Sequence, residues 1–202
     1  MKKLRVAITG GIGSGKSTFC GFLAEKKYVV IHADDLAKDI LQNDISVKKR
    51  IISAFGPESY TEDGPDRKFL ANVVFSDYDN LLIINSIVHP VVISCSEKLI
   101  NEALKNNALV FVEAALIYEA GMEDLFDYVV LIKADDKIKI ERVMKRDNAT
   151  EEAVLKRKET QIPDEEKTDV ADFVFDNNGS TDDLKNKADF LINILNGISR
   201  IN

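Results

Sequence analysis

The sequence predicts a three-layer α/β domain around a parallel, five-stranded sheet. Three observations carry that prediction. Five short runs rich in β-branched residues show little polar–apolar alternation, as strands buried on both faces do: LRVAIT (4–9), YVVI (28–31), LVFVEAAL (109–116), YVVLIK (128–133) and DFVF (172–175). Helical patterns separate these runs, the strand–helix–strand order of a parallel sheet. A glycine-rich turn, GGIGSGKS, joins the first run to the first helix.

Taken in order, the glycine turn leads into a helix over Lys16–Lys26 with Phe19, Phe22 and Leu23 on one face. After the second strand, residues 36–106 hold no convincing strand. They hold helical segments such as ISVKKRIISAF and PVVISCSEKLINEALKN, the latter opened by Pro90 in its first turn. Beyond the fourth strand, Asp135–Arg146 places Ile138, Arg142 and Arg146 four residues apart, and 136–169 is charged and irregular. The closing helix, Thr181–Gly197, aligns Leu184, Ala188, Leu191, Ile192 and Leu195, with Thr181 as N-cap and Asp182 and Asp183 in its first turn. Without repeats or low-complexity linkers, 1–202 reads as a single domain. Its core is 1–35, 107–135 and 170–202, its helical lobe 36–106, and its lid 136–169, for which plain crossover helices are the alternative.

At 202 residues the chain is long enough for a sizeable core. A formal charge of −7 argues against non-specific nucleic-acid binding. Cys20 and Cys95 cannot build a disulfide framework and read as buried thiols of a reducing compartment. MKKLRVAITGG is a strand rather than a secretory signal, and no run reaches the eighteen or so apolar residues of a membrane span. The expectation is a cytoplasmic protein with no membrane association and no obligate protein partner.

Gly10-Gly11-Ile12-Gly13-Ser14-Gly15-Lys16-Ser17 fits G-x-x-x-x-G-K-[ST]. Its backbone amides can wrap a diphosphate, and the following helix aims its N-terminal dipole at the same anion. Lys16 can reach the β- and γ-phosphates and Ser17 can ligate Mg²⁺. Asp34, at the end of the next strand, needs a reason to sit near phosphates. It can take the proton of an attacking hydroxyl or hold Mg²⁺ through water, or it can simply cap a helix. Arg142 and Arg146 share a helix face and, with Lys145 and Arg157, can clamp a phosphoryl group; paired with Glu141 and Asp147 they would be an ordinary solvated face. GTPase-like fragments at Asp176–Gly179 and Asn186–Asp189 nearly touch and the second lies within a helical pattern, so both read as accidental. Glu113 lies inside its strand with no Asp at the strand end, which disfavours a motor ATPase. A small-molecule kinase fits best; another acceptor, or a nucleotide-dependent regulator, is the rival.

Several motifs together resemble the dephospho-CoA kinase family over nearly the whole length: TGGIGSGKST (9–18), ADDLAK (33–38), His89-Pro90, ALIYE (115–119), ERVMKRD (141–147), RKETQIPDEEK (157–167) and ADFVFDNNG (171–179). The resemblance implies a P-loop NTPase fold and transfer of the ATP γ-phosphoryl group to the ribose 3′-hydroxyl of dephospho-CoA with Mg²⁺. It implies Asp34 as the catalytic carboxylate and Lys16, Arg142 and Arg146 as stabilisers of the phosphoryl group. ATP would be held by Gly11, Gly13, Ser14, Gly15, Lys16, Ser17 and Thr18, with Asn177–Gly179 near adenine. His89 and Leu116–Glu119 would help form the acceptor site. The family's usual D-A-D-x-x-A-R is here His32-Ala33-Asp34-Asp35-Leu36-Ala37-Lys38, and its Pro-Leu-Leu-Phe-Glu is Ala115-Leu116-Ile117-Tyr118-Glu119. Lys38 keeps the charge but not the two-pronged geometry of arginine.

Overall fold

The computed structural model describes residues 2–201. Their strands are β1 (Leu4–Thr9), β2 (Val29–His32), β3 (Tyr60–Thr61), β4 (Gly64–Pro65), β5 (Leu109–Glu113), β6 (Tyr128–Lys133) and β7 (Phe173–Asp176). β1 is the middle of a five-stranded sheet ordered β2-β5-β1-β6-β7, with every neighbouring pair parallel. The five apolar runs are thus the five strands. Leu4, Val6 and Ile8 are buried, and so are Ala7, Val110, Val112 and Leu131 of the opposite parity, which is why the runs lack alternation. β5 stops at Glu113, earlier than expected, where the Ala114 amide still bonds to the Ile8 carbonyl at 3.1 Å before the chain turns away.

The helices are α1 (Lys16–Glu25), α2 (Ala33–Asn43), α3 (Ile45–Phe55), α4 (Arg67–Ser76), α5 (Tyr78–Ala103), α6 (Asp136–Asp147), α7 (Glu151–Glu159), α8 (Asp164–Thr168) and α9 (Thr181–Ile201). One apolar cluster joins β1, β5 and β6 to α1 through Phe19, Cys20 and Leu23 and to α9 through Leu184, Ala188, Leu191 and Leu195. Burying each large side chain of that cluster is worth about 1.5–3 kcal/mol, so the sheet and these two helices form the rigid base on which the glycine turn stands.

The chain divides into two compact units, Met1–His32 with Leu99–Asn202, and Ala33–Lys98. The second is helical except for the short antiparallel pair β3–β4. Asp44 caps α3 through the Val47 amide at 2.9 Å, and Asp66 caps α4 through the amides of Lys68 and Phe69. Pro90 does not open a helix. It lies inside the 26-residue α5. A proline there leaves the carbonyl four residues earlier without its amide. That carbonyl belongs to Ser86, and Arg50 Nη2 donates to it at 3.3 Å. By length and composition α5 is also the one described helix that would suffice to cross a membrane, a point the sequence reading did not anticipate, although a core helix passes the same test.

Thr181 is the first residue of α9, not its cap. Ser180 caps it: the Ser180 hydroxyl accepts from the Asp183 amide at 3.1 Å, while the Ser180 amide donates to the Asp183 carboxylate at 2.9 Å. Ser180→Ala is expected to lower unfolding free energy in urea by about 1 kcal/mol. Thr181→Ala is expected to stay within about 0.5 kcal/mol. The reverse ranking would return the cap to Thr181.

Candidate active site

The glycine turn forms where β1 meets α1, and at Gly10 and Gly15 it leaves no space for a side chain. Gly15 caps α1 in the left-handed region with φ 98°, and a Cβ there would lie 2.1 Å from Asn177 Nδ2. A Cβ on Gly10, at φ 147°, would lie 2.0 Å from the Ile132 carbonyl oxygen of β6. Asn177 Nδ2 donates to the Ser14 carbonyl at 2.7 Å, tying the loop after β7 to the turn. Lys16 opens α1 at 8% exposure, among helix-start amides that have no intrahelical acceptor. Anion chemistry is what that arrangement serves.

Not every amide of the turn faces a ligand. Gly11 N–H donates to Asp164 Oδ1 at 3.1 Å and Ile12 N–H to Gln161 Oε1 at 2.9 Å. Asp164 is buried, and its other oxygen pairs with buried Lys139 at 2.7 Å; Lys139 also pairs with Asp136 at 2.9 Å. Burial alone would lower the Lys139 pKa, yet the bonds to Asp164 and Asp136 raise it. Lys158 bonds Asp136 and is the main cause of that carboxyl's lowered pKa, with Lys139 second. The start of the turn is therefore fastened to the expected lid by a charged network, in which Gly11 serves as an anchor point.

Ser17 and Glu113 form the other side. The Ser17 hydroxyl donates to Glu113 Oε1 at 2.6 Å, and His32 Nδ1 lies 2.6 Å from Glu113 Oε2. Donating its single proton leaves the Ser17 oxygen's lone pairs for a hard cation, which fits Mg²⁺ delivered with a nucleotide. Cys20 lies beside this pair. Its thiol pKa is pushed well up, first by burial and then by Glu113, with Lys16 opposing, so it is an inert core thiol.

Arg142 turns inward: Nη2 donates to the Asn177 carbonyl at 3.0 Å, while Nη1 is buried with no hydrogen-bond partner. Arg146 does not join it. Its Nε and Nη2 grip Asp147, which Arg157 also bonds, and these contacts, Arg146 first, hold the Asp147 carboxyl below its usual pKa. Asn178 and Asp135 bond reciprocally across the loop that contains Gly179. Glu119 Oε1 accepts from the Ile162 amide at 2.8 Å and stands 2.8 Å from fully buried Lys167, an electrostatic contact rather than an aligned hydrogen bond. Leu116 begins a hydrogen-bonded turn, its carbonyl accepting from Ala120 at 3.0 Å. Tyr118 between them is raised to about 12, chiefly by burial.

In the second unit Asp34 is the second residue of α2, inside the helix and not at its cap, so the capping alternative does not describe it. His89 lies within α5, directly before Pro90. Sequence reasoning gives Asp164 and Lys139 no role, and takes Glu113 only as a residue inside a strand and His32 only as a departure from the family pattern. For Glu113 the signal is a carboxylate closing an apolar strand, masked because the apolar run continues to Leu116.

The structure is similar to a crystal structure of TT1252 from Thermus thermophilus, with a TM-score of 0.79 and 34% identity over 96% of this chain and 99% of that one. It is also similar to a dephospho-CoA kinase from Campylobacter jejuni, with a TM-score of 0.71 and 29% identity over 96% of this chain and 98% of that one. A dephospho-CoA kinase of Corynebacterium glutamicum is 34% identical over 184 residues, covering 90% of this chain and 94% of its own length. The family model described as dephospho-CoA kinase matches residues 4–183. With its sheet order, its phosphate-binding turn and these matches, the chain belongs to the dephospho-CoA kinase family, a family of ATP-dependent kinases.

Proposed function

We propose that the protein transfers the γ-phosphoryl group of ATP to the ribose 3′-hydroxyl of dephospho-CoA, giving CoA and ADP in the cytoplasm. The observation that carries this reading is the turn at Gly10–Ser17, with Lys16 drawn in to 8% exposure and the Arg142 Nη1 buried without a partner beside Asn177. A buried guanidinium nitrogen lacking an acceptor suits an anionic phosphate oxygen.

The amides at the start of α1 and the Lys16 ammonium bind the β- and γ-phosphates. Ser17 holds Mg²⁺, which when bound offsets charge on the polyphosphate. Asp34 accepts the proton of the 3′-hydroxyl as its oxygen bonds to the γ-phosphorus and the bond to the bridging oxygen of ADP breaks. Arg142 stabilises charge on the transferring group. Arg146 joins it by exchanging Asp147 for phosphate, and Thr18 and the Asn177–Gly179 loop complete the ATP site. Ala33–Lys98, with His89, binds the acceptor together with Leu116. Glu119 serves this site through Lys167 and the Ile162 amide, by setting the path of the chain after α7.

Asp34→Asn is expected to lower turnover by about 10²–10⁴-fold while ATP affinity changes by less than about two-fold. Retention of most of the turnover removes Asp34 from catalysis. Arg142→Ala is expected to lower turnover by about 10²-fold, well beyond any change in ATP affinity; an effect confined to affinity makes Arg142 a nucleotide-binding residue only. The activity itself is tested by ADP release with dephospho-CoA, AMP, shikimate and gluconate as acceptors. Dephospho-CoA alone is expected to sustain turnover, and preference for another acceptor contradicts the reading.

A further inference from the structure

His32 ends β2 and is the register partner of Glu113 at the end of β5. Its imidazole approaches Glu113 Oε2 at 2.6 Å while the Ser17 hydroxyl donates to Oε1, also at 2.6 Å. Glu113 is 7% exposed, and each of its oxygens thus has one strong donor. No step of the reaction above uses His32.

We infer that His32 is a positioning residue for the nucleotide's cation: by fixing the rotation of the Glu113 carboxylate it keeps the Ser17 proton on Glu113 and the Ser17 lone pairs on the polyphosphate side. This rests on the reading that Ser17 ligates that cation. A carboxylate's terminal torsion is broad and two-fold, so a single donor leaves its plane free to turn. A second donor on the other oxygen fixes the plane. To donate to the Glu113 carboxylate, Nδ1 carries a ring proton, which is the tautomer this contact selects. Without that donor, Oε2 is left buried and unsatisfied, and the carboxylate turns toward water or toward the Ser17 hydroxyl's other side. The Ser17 proton then has no fixed direction, and its oxygen loses its aim. The backbone amides that hold the phosphates are untouched, so the loss falls on the metal-dependent part of nucleotide affinity.

The test is calorimetric titration of ADP into the full chain, once with Mg²⁺ and once in EDTA, for the wild type, His32→Leu and His32→Asn. Asparagine can place its Nδ2 near where the ring Nδ1 stands. His32→Leu is expected to weaken ADP binding about three- to ten-fold in Mg²⁺ and less than about two-fold in EDTA. His32→Asn is expected to recover most of the loss. Equal losses in both media, no loss in Mg²⁺, or an asparagine variant no better than leucine overturns the inference. The wild-type pair of titrations reports separately on the underlying reading: ADP affinity unaffected by Mg²⁺ removes the cation from Ser17 and overturns both. Melting temperatures of the nucleotide-free variants, expected to agree within about 3 °C, identify a purely structural effect, which also counts against the inference.

Discussion

The structure depends on how closely the backbone of the glycine turn is fitted to its neighbours. At Gly10 the chain passes so close to the end of β6, and at Gly15 so close to Asn177, that a methyl group at either position would overlap its neighbour. That fit is imposed by the sheet and by the loop after β7, not by the turn's own side chains. It turns the start of α1 into a fixed row of donors, which is how a protein stabilises polyphosphate charge without reorganising at the moment of transfer. The apolar cluster of β1, β5, β6, α1 and α9 keeps these pieces from drifting apart.

The charged groups nearby divide into those that hold the protein and those that meet the ligand. Lys139–Asp164 and Lys167–Glu119 are buried pairs, and such pairs seldom add net stability because desolvation offsets their attraction. Their effect is on position: they bring Asp164 and Gln161 against the first amides of the turn and fix the path of residues 161–167. Lys167 Nζ lacks an aligned acceptor but has the Glu119 carboxylate 2.8 Å away, whereas Arg142 Nη1 is buried without an acceptor. An inward arginine nitrogen without an acceptor, set among lysines that each face a carboxylate of the protein, suits an anion that arrives from outside.

Much of this was legible in the sequence because it is local. The strands of the sheet declare themselves by apolar runs without alternation, and Gly10–Ser17 by residue types at fixed spacing. What stayed hidden depends on register between distant segments. Glu113 meets Ser17 and His32 only because β5 lies between β1 and β2, an order that no single stretch encodes. The Asp164 and Gln161 bonds to the turn likewise join residues about 150 positions apart. Pro90 misled because its local rule, that proline opens a helix, yields where tertiary structure supplies the missing partner, here Arg50. Thr181 misled by one position, with Ser180 beside it offering the same chemistry.

The central claim is that the turn's amides have two employments, Gly11, Ile12 and Ser14 binding protein and Gly13, Gly15, Lys16 and Ser17 binding the nucleotide. Residue-resolved amide hydrogen exchange by NMR, with and without ADP and Mg²⁺, tests it directly. The account predicts that Gly11 and Ile12 are protected before ligand is added, and that Gly13, Gly15, Lys16 and Ser17 gain protection on binding. Protection that appears elsewhere while these residues stay unchanged would contradict it.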